Sequence, residues 1–385
     1  MITPNFDALI VDILRSFLID SQDAFAILLA AFHPHSRLLG ISTVSGNASL
    51  EHTTHNALAI AAAIGIDHDV ITGADRPLTR PASFAPTIHG ATGLDGVPLL
   101  PSVPKSMTRT RPSGVEHIAK AVLAEPANTV WLIATGPLTN IAQLFRDFPD
   151  AKSHVYGLSV MGGAIGEVPN SQQDGTSSAP SMEPFTAAPP HRKDGKGNWT
   201  AYAEFNIWCD PEAAAEVFET LKVLDKPVIL IPLDLTHQVR GTTEVQELLF
   251  SAPSAVNGVS NGTATSKNAG PSKIRQMFKQ VMLYFADTYS QHSGIHDGPP
   301  LHDPLAVYAV LEPDAFDDRG WERWDVKVDC SEGERAGETV AVPSDRQGHG
   351  VKIPRAVELT RFWSSIDKAL AGAERKAPFG RGNEK

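Results

Sequence analysis

Polar side chains with chemical potential recur just after short apolar runs. Asn47 closes "GISTVSGN" (40–47), Thr135 and Asn140 follow the run in "LIATGPLTN" (132–140), and Met161 lies in "VMGG" (160–163). Glu204, Asn206 and Asp210 sit in "AEFNIWCDPEAA" (203–214), Asp234 and His237 in "PLDLTH" (232–237), and His302 and Asp303 in "PLHDPLAVYAVL" (300–311). Near the start, "FLIDSQDAFAILLAAFHP" (17–34) carries Asp20 and Asp23 in a turn that enters a helix. Carboxylates and amides can bind a cation or a polar ligand, and imidazole can move a proton. Each residue taken alone also has a local explanation. Asn47 after Gly46 is turn chemistry, Asp210 before Pro211 is a helix cap, and His302-Asp303 can cap the helix that starts at Pro304. "GGAIG" (162–166) is a weak likeness of a dinucleotide loop, without the full glycine pattern or a downstream acid.

The elements that would position these residues alternate. Strand-like runs at 37–46, 129–136, 154–163 and 227–237 are separated by helix-forming segments at 50–65, 113–126, 138–149 and 210–224. Near-continuous apolar strands between helices predict an α/β fold, a mostly parallel open sheet with helices on both faces. Right-handed crossovers then gather the strand C-termini along one edge, where ligands bind in such sheets. Farther along, the pattern predicts a helix over about 272–292, another from His302 to Leu311, strands at 324–330 and 338–343, and a last helix carrying Phe362 and Trp363. Two stretches break the rhythm. Residues 166–200 are rich in Pro, Gly and Ser, and residues 251–273 are low-complexity and polar, so both are expected to be flexible insertions in a single domain spanning 1–385.

Composition narrows the class. The 385 residues are 42% hydrophobic, enough for a large core, and carry a net charge of −11 without a basic block. That balance argues against nucleic acid or an anionic membrane as partner. The two cysteines, Cys209 and Cys330, form neither a disulfide framework nor a zinc motif. No signal peptide or membrane-spanning run is evident, so a cytoplasmic location is the expectation.

In combination the blocks resemble the inosine-uridine-preferring nucleoside hydrolases. "DAFAILLA", "GISTVSGN", "IATGPLTNIA", "MGG", "AEFNIWCDPEAA", "LDLTH" and "HDP" occur in that family's order and approximate spacing, from about Asp20 to the helix around Phe362. "DGPPLHDP" (297–304) looks like the eukaryotic uridine- or pyrimidine-preferring branch. The resemblance implies hydrolysis of the N-glycosidic bond of a ribonucleoside to ribose and base, through an oxocarbenium-like transition state. It implies Ca2+ as cofactor, with Asp23, Asp303 and the Thr135 carbonyl as ligands. It places Asn47, Asn198, Glu204 and Asn206 on the ribose, Met161 against the sugar, and His89, in a Gly-rich loop, over the nucleoside. His302 takes the place of the acid beside the leaving base. The family also implies a homo-oligomer.

One block departs from the family. Its first strand ends in Asp-x-Asp-Pro-Gly-x-Asp-Asp, and Asp23 matches the last aspartate because the distance to the Asn47 block is kept. The catalytic base then falls on Gln22, the second metal aspartate on Leu18 and the first aspartate on Ser16. Placing a gap so that Asp12 stands for the first aspartate does not restore all four acids. A glutamine cannot accept a proton at neutral pH. Loss of a general base typically costs about 10²–10⁴ in rate, and Leu18 removes charge from a cation site, which weakens binding. Three readings follow: a working hydrolase, a pseudoenzyme that keeps the ribose pocket, or a misjudged exon boundary across residues 13–22, where the break is abrupt and its flanks intact.

Overall fold

The computed structural model describes residues 8–10, 21–46, 48–84, 94, 97–103, 114–166, 196–251, 270–293, 295–319, 322–346 and 349–377. In chain order these form β1 (Ala8–Ile10), α1 (Ser21–Phe32), β2 (Ile41–Thr43), α2 (Leu50–Ile64), β3 (Val70–Thr72), α3 (Gly114–Ala124), β4 (Val130–Ala134), α4 (Thr139–Asp147), α5 (Pro149–His154) and β5 (Gly157–Met161). Then follow α6 (Phe205–Cys209), α7 (Pro211–Val223), β6 (Val228–Ile231), α8 (Leu233–Thr236), α9 (Thr243–Phe250), α10 (Lys273–Ser293) and α11 (Pro304–Leu311). The chain closes with β7 (Phe316–Asp317), β8 (Trp324–Val328), β9 (Thr339–Pro343), β10 (Val351–Lys352), β11 (Ala356–Val357) and α12 (Leu359–Lys376).

The main sheet has the order β1-β4-β5-β6-β10-β8-β9. Pairing is parallel from β1 to β10, and β8 and β9 add an antiparallel edge. Strands β4, β5 and β6 are buried at every position, as a sheet covered on both faces requires. Period-two alternation sorts their side chains into two layers. Trp131, Ile133, Met161, Ile229 and Ile231 join the core made by α1, α2, α10, α11 and α12. Leu132, Ala134, Leu158, Val160 and Leu230 face the core made by α3, α4 and α7. Continuing that alternation past Ala134 turns Thr135 toward the side where α1 and α11 begin.

Helix α1 is apolar almost all round, and Ala24 through Ala30 are fully buried. A helix of that kind has to be wrapped on every side, and α10, α11 and α12 pack around it, with Phe25 edge-on to Phe278 at 4.9 Å. Its far end is fastened at Glu312. His33 Nε2 lies 3.3 Å from Glu312 Oε1 just past α11, and Arg361 of α12 binds the other Glu312 oxygen.

The expected strand at 37–46 forms, but in a different place. β2 pairs in parallel with β3 in a separate two-stranded sheet, not in the main one. Buried Asn140 fastens that small sheet to the end of β4. Its Oδ1 accepts the Ala74 N–H at 2.8 Å and its Nδ2 donates to the Thr43 carbonyl at 3.2 Å. Gly73 is obligatory beneath it, since a Cβ there would lie 2.1 Å from Asn140 Nδ2. The expected insertions at 166–200 and 251–273 fall largely outside the described residues. No helix among the described residues is long and apolar enough to cross a membrane.

Burial holds the His33 pKa below its ordinary value, against the attraction of Glu312. The folded state therefore binds a proton at His33 less readily than the unfolded chain does. The stability this lends is complete above the unfolded value, about 6.5, and is lost as pH falls below it. Replacing His33 with Asn removes the titration. The stability difference between wild type and His33→Asn, from urea melts at stepped pH, is expected to shrink between pH 7.5 and pH 5.5.

Candidate active site at the strand ends

Two hydrogen-bonded groups of side chains meet at the C-terminal edge of the parallel strands. The first centres on Asn206, in the short helix α6. Its Nδ2 donates to the Thr135 carbonyl at 3.1 Å and the Met161 carbonyl at 3.2 Å, and lies 3.4 Å from Met161 Sδ. One amide thus joins the ends of β4 and β5. Glu204 caps α6 with an unusually long side chain for that position: Oε1 accepts the Asn206 N–H at 2.8 Å and Oε2 the Ile207 N–H at 3.1 Å. Oε2 also accepts the Gly163 N–H at 3.0 Å, fixing the loop after β5. Burial raises the Glu204 pKa, while these three N–H donors favour the carboxylate.

Thr135 links this group to α1. Its hydroxyl donates to Asp23 Oδ1 at 3.0 Å, and both residues are buried. The second group begins at the neighbouring Gln22. Its Oε1 accepts the backbone N–H of His302 at 2.6 Å, which joins the first turn of α1 to the entry of α11. The His302 ring is held in turn: Nδ1 lies 2.5 Å from Thr236 Oγ1, and the His237 ring packs edge-on at 5.4 Å between centroids. Asp303 follows at the first residue before α11, 1% exposed and making no side-chain capping bond. The capping explanation for Asp303 therefore fails.

Of the residues picked from sequence, Asp23, Thr135, Met161, Glu204, Asn206, Gln22 and His302 are joined by these contacts, and Asp303 adjoins them in the chain. Asn198 is exposed, and its Oδ1 accepts the Phe205 N–H at 2.9 Å, which supports the start of α6. Asn47, His89 and residues 11–20, with Leu18 and Ser16, lie outside the described residues. Asp210 and Asp234 have structural partners. Asp210 takes N–H groups from Leu78 and Ala213 and the Thr139 hydroxyl. Asp234 takes the Ile165 and Gly166 N–H groups, so the "GGAIG" loop is held by two buried carboxylates, Glu204 and Asp234. Thr236 was not singled out from the sequence. The only hint is its place inside "LDLTH", one residue before a histidine.

A hard divalent cation requires six to eight oxygens. Asp23 and Asp303 supply two buried carboxylates at helix starts, and the Thr135 carbonyl adds a neutral oxygen. These oxygens have the chemistry of hard-cation ligands, and they carry less charge than four aspartates would. A separate cluster, His33, His35 and Glu312, lies within metal-ligand spacing. It stands at the other end of α1, about 16 Å away at 1.5 Å per residue, and takes no part in this edge.

A doubly covered parallel sheet whose strand ends carry buried amide, carboxylate and imidazole groups defines an α/β protein with a polar site at its strand ends. The chain belongs to the inosine-uridine preferring nucleoside hydrolases, whose family profile matches residues 19–364. It is 34% identical to a uridine nucleosidase of Saccharomyces cerevisiae over 370 residues, 93% of this chain and 95% of that protein. It is 31% identical to the pyrimidine-specific ribonucleoside hydrolase RihA of Photobacterium profundum over 296 residues, 77% of this chain and 78% of that one. Among solved structures, a purine-preferring ribonucleoside hydrolase from Gardnerella vaginalis superposes with a TM-score of 0.72 at 24% identity, covering 96% of this chain and 100% of that one. That likeness carries the fold.

Glu204→Gln tests the first group. The amide presents one acceptor oxygen where the carboxylate presents two, so at least one buried N–H is left against an NH2. The expected loss is about 1–3 kcal/mol of stability, read from chemical denaturation, and an unchanged midpoint would contradict the assignment.

Proposed function

We propose that this protein hydrolyses ribonucleosides of the uridine and inosine type to ribose and free base. The observation that carries the reading is the Asn206 network, which ties Thr135, Met161 and Glu204 together at the strand ends, with Asp23 bonded to Thr135 and the adjacent Gln22 to His302. Vicinal ribose hydroxyls need carboxylate and amide partners, a role for Glu204 and Asn206 together with Asn47 and Asn198, with Met161 against the sugar. Asp23, Asp303 and the Thr135 carbonyl would hold a calcium ion, which when bound supplies positive charge to the ribose hydroxyls and to water.

In the reaction the C1′–N bond breaks and its electron pair leaves with the base. His302 gives the proton that neutralises the departing base. Water adds to the ribosyl cation at C1′ and releases its proton to solvent, since Gln22, at the position of the family's base, cannot accept one. His89 belongs to the loop that shields the nucleoside from bulk water. The same reading carries a single domain interrupted at 166–200 and 251–273, a homo-oligomer and a cytoplasmic location.

Gln22 favours a second reading, a nucleoside-binding protein with little turnover. It stands where the family has its base, and its amide oxygen is committed to the His302 backbone. Ribose release from uridine and inosine, with calcium and then with a chelator, separates the two. Turnover abolished by chelation and reduced about 10²–10⁴-fold in His302→Ala is expected. Calorimetric binding of uridine without ribose release would favour the second reading.

A further inference from the structure

We infer that Thr236 is the positioning residue that fixes the tautomer and orientation of the His302 imidazole, with Nδ1–H donating to the Thr236 hydroxyl oxygen. The inference deepens the hydrolase reading and rests on it.

Two distances carry it. Thr236 Oγ1 lies 2.5 Å from His302 Nδ1 and 3.4 Å from the Leu233 carbonyl. A hydroxyl has one hydrogen and two lone pairs. A carbonyl can only accept, so the O–H has to donate if the second contact is to count as a bond. The oxygen is then the acceptor for Nδ1–H. This is the one assignment in which both contacts are hydrogen bonds, giving a chain from Nδ1–H to Oγ1 and from O–H to the Leu233 carbonyl. Thr236 is fully buried and His302 is 5% exposed, so water is a poor substitute for either partner.

The placement is rigid on every side. Thr236 closes the four-residue helix α8, directly after β6, whose strand position is set by the sheet register. The His302 backbone is pinned by Gln22 and its ring is flanked by His237. Main chain and Nδ1 are thus both fixed, which sets the plane and orientation of the ring. A histidine whose second nitrogen is fixed by a neighbour acts through the first, as ring orientation in catalytic and metal-binding histidines shows. A hydroxyl serves here because it can accept from the ring whether His302 is neutral or protonated, and can pass its own hydrogen to a carbonyl in both states.

The test is nitrogen NMR on the full chain labelled with 15N-histidine, with a His302→Asn sample used to assign the ring. Wild type is expected to show neutral His302 as the Nδ1–H tautomer, against the Nε2–H form that free imidazole side chains prefer. Thr236→Val keeps the shape and removes the hydroxyl, so the ring is expected to revert to Nε2–H or to average. In ribose release the same variant is expected to lose about 10–100-fold in kcat with KM changed less than about threefold, and Thr236→Ser to restore most of it. An Nε2–H or averaged ring in wild type overturns the inference, whether or not the valine variant folds. So does a Thr236→Val protein that keeps both the tautomer and kcat and loses only thermal stability. If wild type releases no ribose, the hydrolase reading fails, and the wild-type tautomer still decides the role of Thr236.

Discussion

The side-chain amide of Asn206 is the fastening on which the strand-end site depends. Parallel strands end in carbonyls that no neighbouring strand satisfies, and burying one without a partner costs about 1–3 kcal/mol. Here a single NH2 group satisfies two of them, at Thr135 and Met161. It can do so only because Glu204 holds the backbone N–H groups of Asn206 and Ile207 at the start of α6. The same carboxylate takes the Gly163 N–H, so the loop after β5 cannot move without α6. A preformed polar site follows from this order. Groups already held in place lose little entropy when a ligand arrives.

A second constraint comes from α1. A helix buried on all faces delivers its first turn to a fixed point, and that point is the edge where β4 ends. Asp23 reaches the Thr135 hydroxyl, and Gln22 reaches the backbone of His302. The glutamine therefore has a structural use that a proton acceptor is not needed for. Through this contact the first turn of α1 and the entry of α11 meet.

Much of this architecture was legible in the sequence. Apolar runs such as "VWLIA" and "PVILIP" declare buried strands, and "DPEAA" declares a capped helix, because those signals are local. The blocks that resemble the family fall at strand ends, as in "IATGPLTNIA" and "MGG", or at helix starts, as in "DAFAILLA" and "HDP". Other features were hidden for a physical reason. Nothing local distinguishes β2 as a member of a separate pair with β3, because strand partners are chosen by distant chain. Asn140 reads as a candidate ligand group and is instead a clamp on Thr43 and Ala74, which only tertiary contacts reveal. Thr236 gave no signal because a threonine ending a short helix is ordinary; its meaning lies in a histidine 66 residues away.

The most direct test of the account is a crystal structure of the protein with uridine bound under chelating conditions, so that binding is seen without turnover. The account predicts the ribose hydroxyls within hydrogen-bonding reach of Glu204 and Asn206, with the base beside His302. The contradictory result is uridine in the cleft of about 960 Å³ at the opposite edge of the sheet, lined by His35, Trp131, Tyr156 and Arg361, with the strand-end network untouched.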